Sequence, residues 1–142
     1  MSDFYALKQQ IVETAQKLVH KGYLMATGGN LSLRVVGQDA FVITPSNYDY
    51  MKMKPEDVCI LDFDLNVIEG ELKPSVESAM HGAVYQVRKD VNAIVHTHQV
   101  YTSALTLIKA PIPALFDEQT RFLGRSVDII PYAPSGTSLL KN

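Results

Sequence analysis

A chain of 142 residues, 46% hydrophobic and 20% charged, can form one domain with a real core and has an ordinary globular composition. Its net charge of −2, with no long basic run, argues against a nucleic-acid binder, and no apolar run is long enough to span a bilayer. One cysteine, Cys59, excludes an internal disulfide and a cysteine-rich metal site; within Val58-Cys59-Ile60-Leu61 it reads as a core thiol. The start, Met1-Ser2-Asp3-Phe4, lacks the basic and apolar regions of a signal peptide, so the cytoplasm is the expected compartment.

Phe4, Leu7, Ile11, Ala15, Leu18 and Val19 recur at helical spacing and predict a first helix from about Asp3 to Lys21. Lys8, Gln9, Glu13, Gln16 and Lys17 fill its other face, Ser2 or Asp3 can cap its start, and Gly22 can close its end. His20, in the last turn, reads as structural.

The segment Ala26-Thr27-Gly28-Gly29-Asn30-Leu31-Ser32 follows. It is either a plain helix-to-strand turn or a loop whose exposed amides suit an anion. Leu31, Leu33 and Val35 alternate with Ser32 and Arg34 as in a half-buried strand, Gly37-Gln38-Asp39 turns the chain, and Ala40 to Thr44 returns. Thr44-Pro45-Ser46-Asn47 is a second small polar loop at a strand end. Tyr48 to Pro55 looks irregular, with Met51 and Met53 packing and Lys52 and Lys54 solvated. Val58 to Asp62 is a third strand and Val67 to Gly70 a short fourth, joined by a turn at Asp64-Leu65-Asn66.

Lys73-Pro74-Ser75-Val76-Glu77 opens a second long helix, with Ser75 as cap and Val76, Met80, Ala83, Val84 and Val87 as its apolar stripe. Glu77 in its first turn can compensate the helix dipole or act as a proton-transfer group. His81, one turn on, could share its face, but reads first as a partly exposed helix histidine.

Ala93-Ile94-Val95-His96-Thr97-His98 reads as a short buried strand ending in two histidines. Side chains alternate along a strand, so His96 and His98 would point the same way and could share one metal ion, zinc by ligand type. The alternative is that both hydrogen-bond to neighbours. A helix over Val100 to Ile108, with Tyr101, Ala104, Leu105 and Ile108 inward, is broken by Pro111 and Pro113. Asp117-Glu118-Gln119 forms a polar cluster, Val127 to Ile130 reads as a strand, and Thr137 starts a helix that the sequence leaves unfinished. The succession predicts an α/β structure with antiparallel pairs from the two hairpins.

Thr27-Gly28-Gly29-Asn30-Leu31-Ser32, Thr44-Pro45-Ser46, Lys73-Pro74-Ser75-Val76-Glu77 and His96-Thr97-His98 resemble, in order and spacing, the class II aldolase/adducin family. The resemblance covers nearly the whole chain. It implies a single domain over 1–142 with a central, mainly antiparallel sheet flanked by helices in a three-layer fold. It also implies a homotetramer with active sites between subunits. Carried over by position, Gly29, Asn30, Ser46, Asn47 and Ser75 would bind substrate phosphate. His96 and His98 would hold zinc or another divalent metal, and Glu77 would be the acid/base and an additional possible ligand. The implied reaction is aldolase-type cleavage or formation of a C–C bond in a small hydroxy-carbonyl compound through a zinc-stabilised enediolate. The same scaffold also carries sugar-phosphate epimerases and decarboxylases, and the non-catalytic adducin head.

Three positions depart from the family pattern. The family's third histidine ligand, further downstream, has no counterpart; neither His20 nor His81 matches it, and the chain reads as truncated at its C-terminal end. Asn47 and Val76 stand where the phosphate loops carry glycine and a second hydroxyl. After Ile112-Pro113-Ala114 the chain runs to Phe116-Asp117-Glu118 rather than to the aldolases' tyrosine, and Asp117 matches the aspartate used nearby by the epimerases.

Overall fold

The structure, a computed structural model, describes residues 4–134 and 137. They fall into two compact units, one that runs to Thr97 and includes the described residues from Ala133 on, the other His98–Tyr132.

The first unit opens with helix α1 (Tyr5–His20). Its start falls at Phe4; the expected caps, Ser2 and Asp3, lie outside the described residues. Gly22 ends it with φ +75, and the amides of Gly22 and Tyr23 reach back to Val19 and Leu18, as a left-handed helix terminus requires. Strands β1 (Asn30–Val35), β2 (Ala40–Ile43), β3 (Cys59–Asp62), β4 (Val67–Glu69) and β5 (Ala93–His96) form one antiparallel sheet of order β4-β3-β2-β1-β5. A 3-10 turn at Pro55–Asp57, absent from the sequence reading, leads into β3; the Asp57 carboxylate accepts the Lys54 amide at 2.8 Å and closes it. Helix α2 (Ser78–Val87) separates β4 from β5.

Alternation along the strands builds two different faces. Leu31, Val35, Val42 and Ile60 pack with Ile11, Val12 and Ala15 of α1, together with Leu24, Tyr50, Met53 and Val58. Phe41, Ile43, Cys59 and Leu61 face the other way, toward Tyr85 of α2. Cys59 is a core thiol as expected; burial raises its pKa, and it donates to the Leu72 carbonyl at 3.3 Å. Met53 packs into the core, whereas Met51 is exposed.

Several expectations are corrected. Lys8, expected on the face of α1 away from its apolar stripe, is only 4% exposed and pairs with Glu69 at 2.7 Å, its aliphatic stem covering apolar surface. Because helices cover both faces of the sheet, β1 is not half-buried: Ser32 is as buried as Leu31. Helix α2 starts at Ser78, with Glu77 rather than Ser75 as its cap residue. Its buried face is Ser78, His81, Gly82 and Tyr85, while Val76 and Val87 are exposed. Polar partners across the sheet select that face over the aliphatic one. β5 is an edge strand among the described residues, half covered rather than buried.

The second unit holds α3 (Val100–Leu107) and α4 (Asp117–Leu123). The residues expected inward on α3 are not: Tyr101 is 84% and Ile108 72% exposed, because so small a unit can bury little surface by itself. The expected strand Val127 to Ile130 reduces to one antiparallel bridge, Ile112 to Val127, with bonds of 3.0 and 2.9 Å. Of the helix expected from Thr137, residues 138–142 lie outside the described residues. Among the described residues no helix is long and apolar enough to cross a membrane.

Candidate active site

Three polar segments predicted from the sequence meet at one end of the sheet of the first unit. Thr44 ties two of them together: its amide donates to the Leu31 carbonyl at 3.0 Å, and its hydroxyl accepts the Leu31 amide at 3.2 Å. The third is laced to the second by Ser46 N–H to Lys73 C=O at 2.9 Å and Ser75 N–H to Thr44 C=O at 3.2 Å, around a Pro45–Pro74 bridge. Asn47 takes the left-handed conformation, φ +53, that asparagine tolerates where glycine would be usual. Gly29 also has positive φ, +81, and a Cβ there would lie 2.5 Å from both the His96 carbonyl oxygen and a Leu24 methyl. The backbone can pass this close to β5 only because residue 29 is glycine. The Tyr50 hydroxyl then anchors the loop by donating to the Gly29 carbonyl at 2.6 Å.

Asn30 and His96 are cross-strand partners in the β1–β5 register. Glu77 reaches both: its Oε2 accepts from Asn30 Nδ2 at 2.7 Å and lies 2.9 Å from His96 Nδ1. The turn before α2 aims this carboxyl group. Ser75 Oγ accepts the Glu77 amide at 3.3 Å, and the Ser75 carbonyl accepts the amide and hydroxyl of Ser78 at 3.1 and 2.6 Å. Glu77 makes no side-chain cap bond to its helix; its carboxylate is turned to Asn30 and His96 instead.

The largest departure from the sequence reading is His81. It is 0% exposed, with Nε2 2.6 Å from Asn30 Oδ1 and Nδ1 2.6 Å from Ser32 Oγ. Burial, reinforced by the positive charge available at His96 and opposed by Glu77, lowers its pKa to about 4, so the ring is neutral at pH 7. Ser32 Oγ also lies 2.7 Å from the Tyr85 hydroxyl, whose pKa burial pushes up to about 12. Arg34 adds a further rung, with its guanidinium 4.7 Å above the Tyr85 ring and donating to the Tyr85 and Arg88 carbonyls at 2.6 and 3.0 Å. The polar residues of β1 (Asn30, Ser32 and Arg34) thus all engage α2 or the segment that caps it. The sequence did carry a signal for this set: Glu77, His81 and Tyr85 stand at i, i+4 and i+8, one stripe of the helix.

The remaining candidates are less concentrated. The Ser46 side chain is half-buried and Asn47 is exposed. Of the Asn30 side-chain amide, one N–H is given to Glu77 and the carbonyl oxygen lies against His81, which leaves its second N–H as the donor for an anion. β5 ends at His96; His98 lies two residues beyond, is exposed and belongs to the second unit. Asp117, exposed in the first turn of α4, is also in that unit. Among the described residues no group of three or more His, Cys, Asp and Glu side chains is gathered as a metal ion would need. Glu77 Oε2 and His96 Nδ1, 2.9 Å apart, are both of donor types that bind zinc.

The comparisons with known proteins agree with this architecture. Residues 9–142 match the model of the class II aldolase and adducin N-terminal domain. The chain belongs to that family. It is 40% identical over 133 residues to a 5-deoxy-D-ribulose 1-phosphate aldolase from Bacillus thuringiensis, covering 94% of this chain and 62% of the relative. It is 36% identical over 131 residues to an L-fuculose phosphate aldolase from Escherichia coli, covering 92% and 60%. A probable L-ribulose-5-phosphate 4-epimerase from Mycoplasma pneumoniae is 36% identical over 110 residues, 77% of this chain and 46% of that protein. A solved L-fuculose 1-phosphate aldolase superposes with a TM-score of 0.89 at 36% identity over 99% of this chain and 65% of its own. The chain therefore spans about three fifths of the length of the curated relatives it matches.

Proposed function

We propose that the protein is an aldolase-type lyase that makes or breaks a C–C bond in a small sugar or sugar-phosphate-like hydroxy-carbonyl compound, with Glu77 as its proton carrier. One observation carries the reading. A buried carboxylate that could have served as an ordinary helix cap is instead held by a cross-strand pair, Asn30 and His96. In the synthesis direction Glu77 removes a proton from the carbon beside the substrate carbonyl, the electron pair left there forms the new bond to the aldehyde carbon, and the aldehyde oxygen takes up a proton from solvent to become a hydroxyl. In cleavage that hydroxyl gives its proton to solvent as its C=O forms, the C–C bond breaks, and protonated Glu77 delivers its proton to the carbon beside the carbonyl. Gly29, Ser46, Asn47 and Ser75 would receive the substrate's phosphate or its polar equivalent around the two laced loops, with Asn30 in the wall between them and the carboxylate.

The family resemblance also implies a divalent metal, zinc by ligand type, on His96 and His98. The described residues do not complete such a site by themselves. When bound, a divalent cation would stabilise the negative charge that builds beside the substrate carbonyl. The assembly we propose is a cytoplasmic homotetramer with its sites between subunits.

The test is an assay of the full-length protein against sugar 1-phosphates and their unphosphorylated counterparts, with metal analysis alongside. Stoichiometric metal lost on His96→Ala, together with aldehyde release, supports the lyase. Failure to retain metal or turn over any such compound would select the other reading, an interaction domain like the adducin head. Epimerisation without aldehyde release would instead select the epimerase and bring Asp117 forward.

A further inference from the structure

We propose that His81 is a positioning residue: its Nε2–H locks the Asn30 amide so that the NH2 edge, not the carbonyl edge, faces the Glu77 carboxylate. The inference deepens the lyase reading above and rests on it for its catalytic consequence, though not for its geometry. The direction of each bond follows from the groups present. An ionised carboxylate only accepts, so Asn30 must present Nδ2 to it, at 2.7 Å. That leaves Oδ1 toward His81, and an oxygen there requires an N–H on Nε2, at 2.6 Å. In a neutral ring Nδ1 then accepts from the Ser32 hydroxyl at 2.6 Å, and Ser32 Oγ in turn accepts from the Tyr85 hydroxyl at 2.7 Å. The chain Tyr85, Ser32, His81, Asn30 therefore donates in one sense throughout, ending on Glu77.

The arrangement is buried from end to end, where hydrogen bonds are strong and reversal of one member reverses the rest. Without an N–H at His81, the buried Oδ1 of Asn30 loses its donor, and the amide is held toward Glu77 by the carboxylate alone. The backbone amide of His81 donates to the Glu77 carbonyl at 3.2 Å. The hydrogen-bonded link from the His81 ring to the carboxylate runs through Asn30. The chain is also built across the sheet, from α2 to β1 and back to the cap of α2, so no local turn could replace it.

Two measurements test the proposal. Nitrogen-15 NMR of histidine-labelled protein, with the His81 signal assigned by its loss in His81→Gln, reports the neutral tautomer. Nε2–H is expected, and Nδ1–H as the main neutral form overturns the proposal. In the full-length protein, His81→Phe is expected to lower kcat roughly tenfold or more with KM within about twofold, the scale of losing a group that orients a reacting one. His81→Gln, whose amide can donate to Asn30, recovers part of that loss. A His81→Phe protein that loses thermal stability while its folded fraction keeps the wild-type kcat overturns the positioning role. Should the wild type turn over no hydroxy-carbonyl substrate, the lyase reading fails, and the tautomer still decides the orientation of Asn30.

Discussion

The two faces of the sheet are built from the same five strands and do different work. Under α1 the contacts are aliphatic and aromatic: Ile11, Val12 and Ala15 over Leu31, Val35, Val42 and Ile60. Under α2 an apolar half around Phe41, Leu61 and Tyr85 gives way to a polar half in which Asn30, Ser32, His81 and Glu77 satisfy one another. Apolar burial is non-directional, so the first face tolerates rearrangement as long as volume is kept. A buried hydrogen-bond chain is directional, so each member of the second depends on the orientation of the next. The site sits where the second kind of packing reaches the end of the sheet.

Breaking the first face should produce the largest loss of stability. Ile11→Ala removes a fully buried side chain from α1 and is expected to cost about 2–5 kcal/mol in denaturant unfolding. The His81 tautomer should be unchanged in the fraction that remains folded. A matching loss of the Nε2–H signal would show that the two faces are not separable.

Acid should act on the second face. His81 has its pKa lowered to about 4 from an ordinary 6.5, so the unfolded chain binds the proton more readily. The contribution is intact above pH 6.5 and is lost as pH falls through 6.5 toward 4, by roughly 3 kcal/mol in total. Urea titrations at several pH values measure this, and His81→Gln should flatten that segment of the curve.

Removing the carboxylate sharpens the comparison in rate rather than stability. Glu77→Gln in the full-length protein is expected to lower turnover by about a hundredfold or more, equivalent to about 2.7 kcal/mol in the barrier, with metal content nearly unchanged. Turnover equal to wild type would remove Glu77 from the chemistry.

The smallest effect is expected from a charge on the apolar side. Lys8 is buried but its partner Glu69 is 41% exposed at the side chain, so Coulomb gain and desolvation largely offset each other. Lys8→Met should shift stability by less than about 1 kcal/mol, in either direction, by thermal or chemical unfolding.

The contrast between the faces also marks how far the sequence could be read. Leu31, Leu33 and Val35 show their alternation, and Ile11 and Ala15 their helical period, because burial on one face leaves a periodic trace. The hairpin at Gly37 and the end of α1 at Gly22 were legible for a similar reason: each needs a positive φ that glycine supplies. Ser32 and Arg34 were misread as the wet side of a strand, since a polar residue looks the same in sequence whether water or a buried partner satisfies it. The apolar stripe expected on α2 failed for the same reason, and His81 with it. Exposed Tyr101 and Ile108 are the converse case, apolar residues at inward-looking positions with little in their own unit to cover them.

Taken alone, the sequence determined the family, the mixed α/β architecture, the hairpins and the identity of Gly29, Asn30 and Glu77 as residues of interest, because backbone geometry and periodic burial are written locally. Only the tertiary structure decided that Asn30 stands across from His96, that Glu77 reaches both, and that His81 lies buried behind Asn30. Those facts depend on strand register and on which face of α2 turns inward. Both are set by hydrogen bonds between residues far apart in the chain, such as Ser32 and His81 at a separation of 49; the i, i+4, i+8 stripe of Glu77, His81 and Tyr85 is visible locally, but its partners are not.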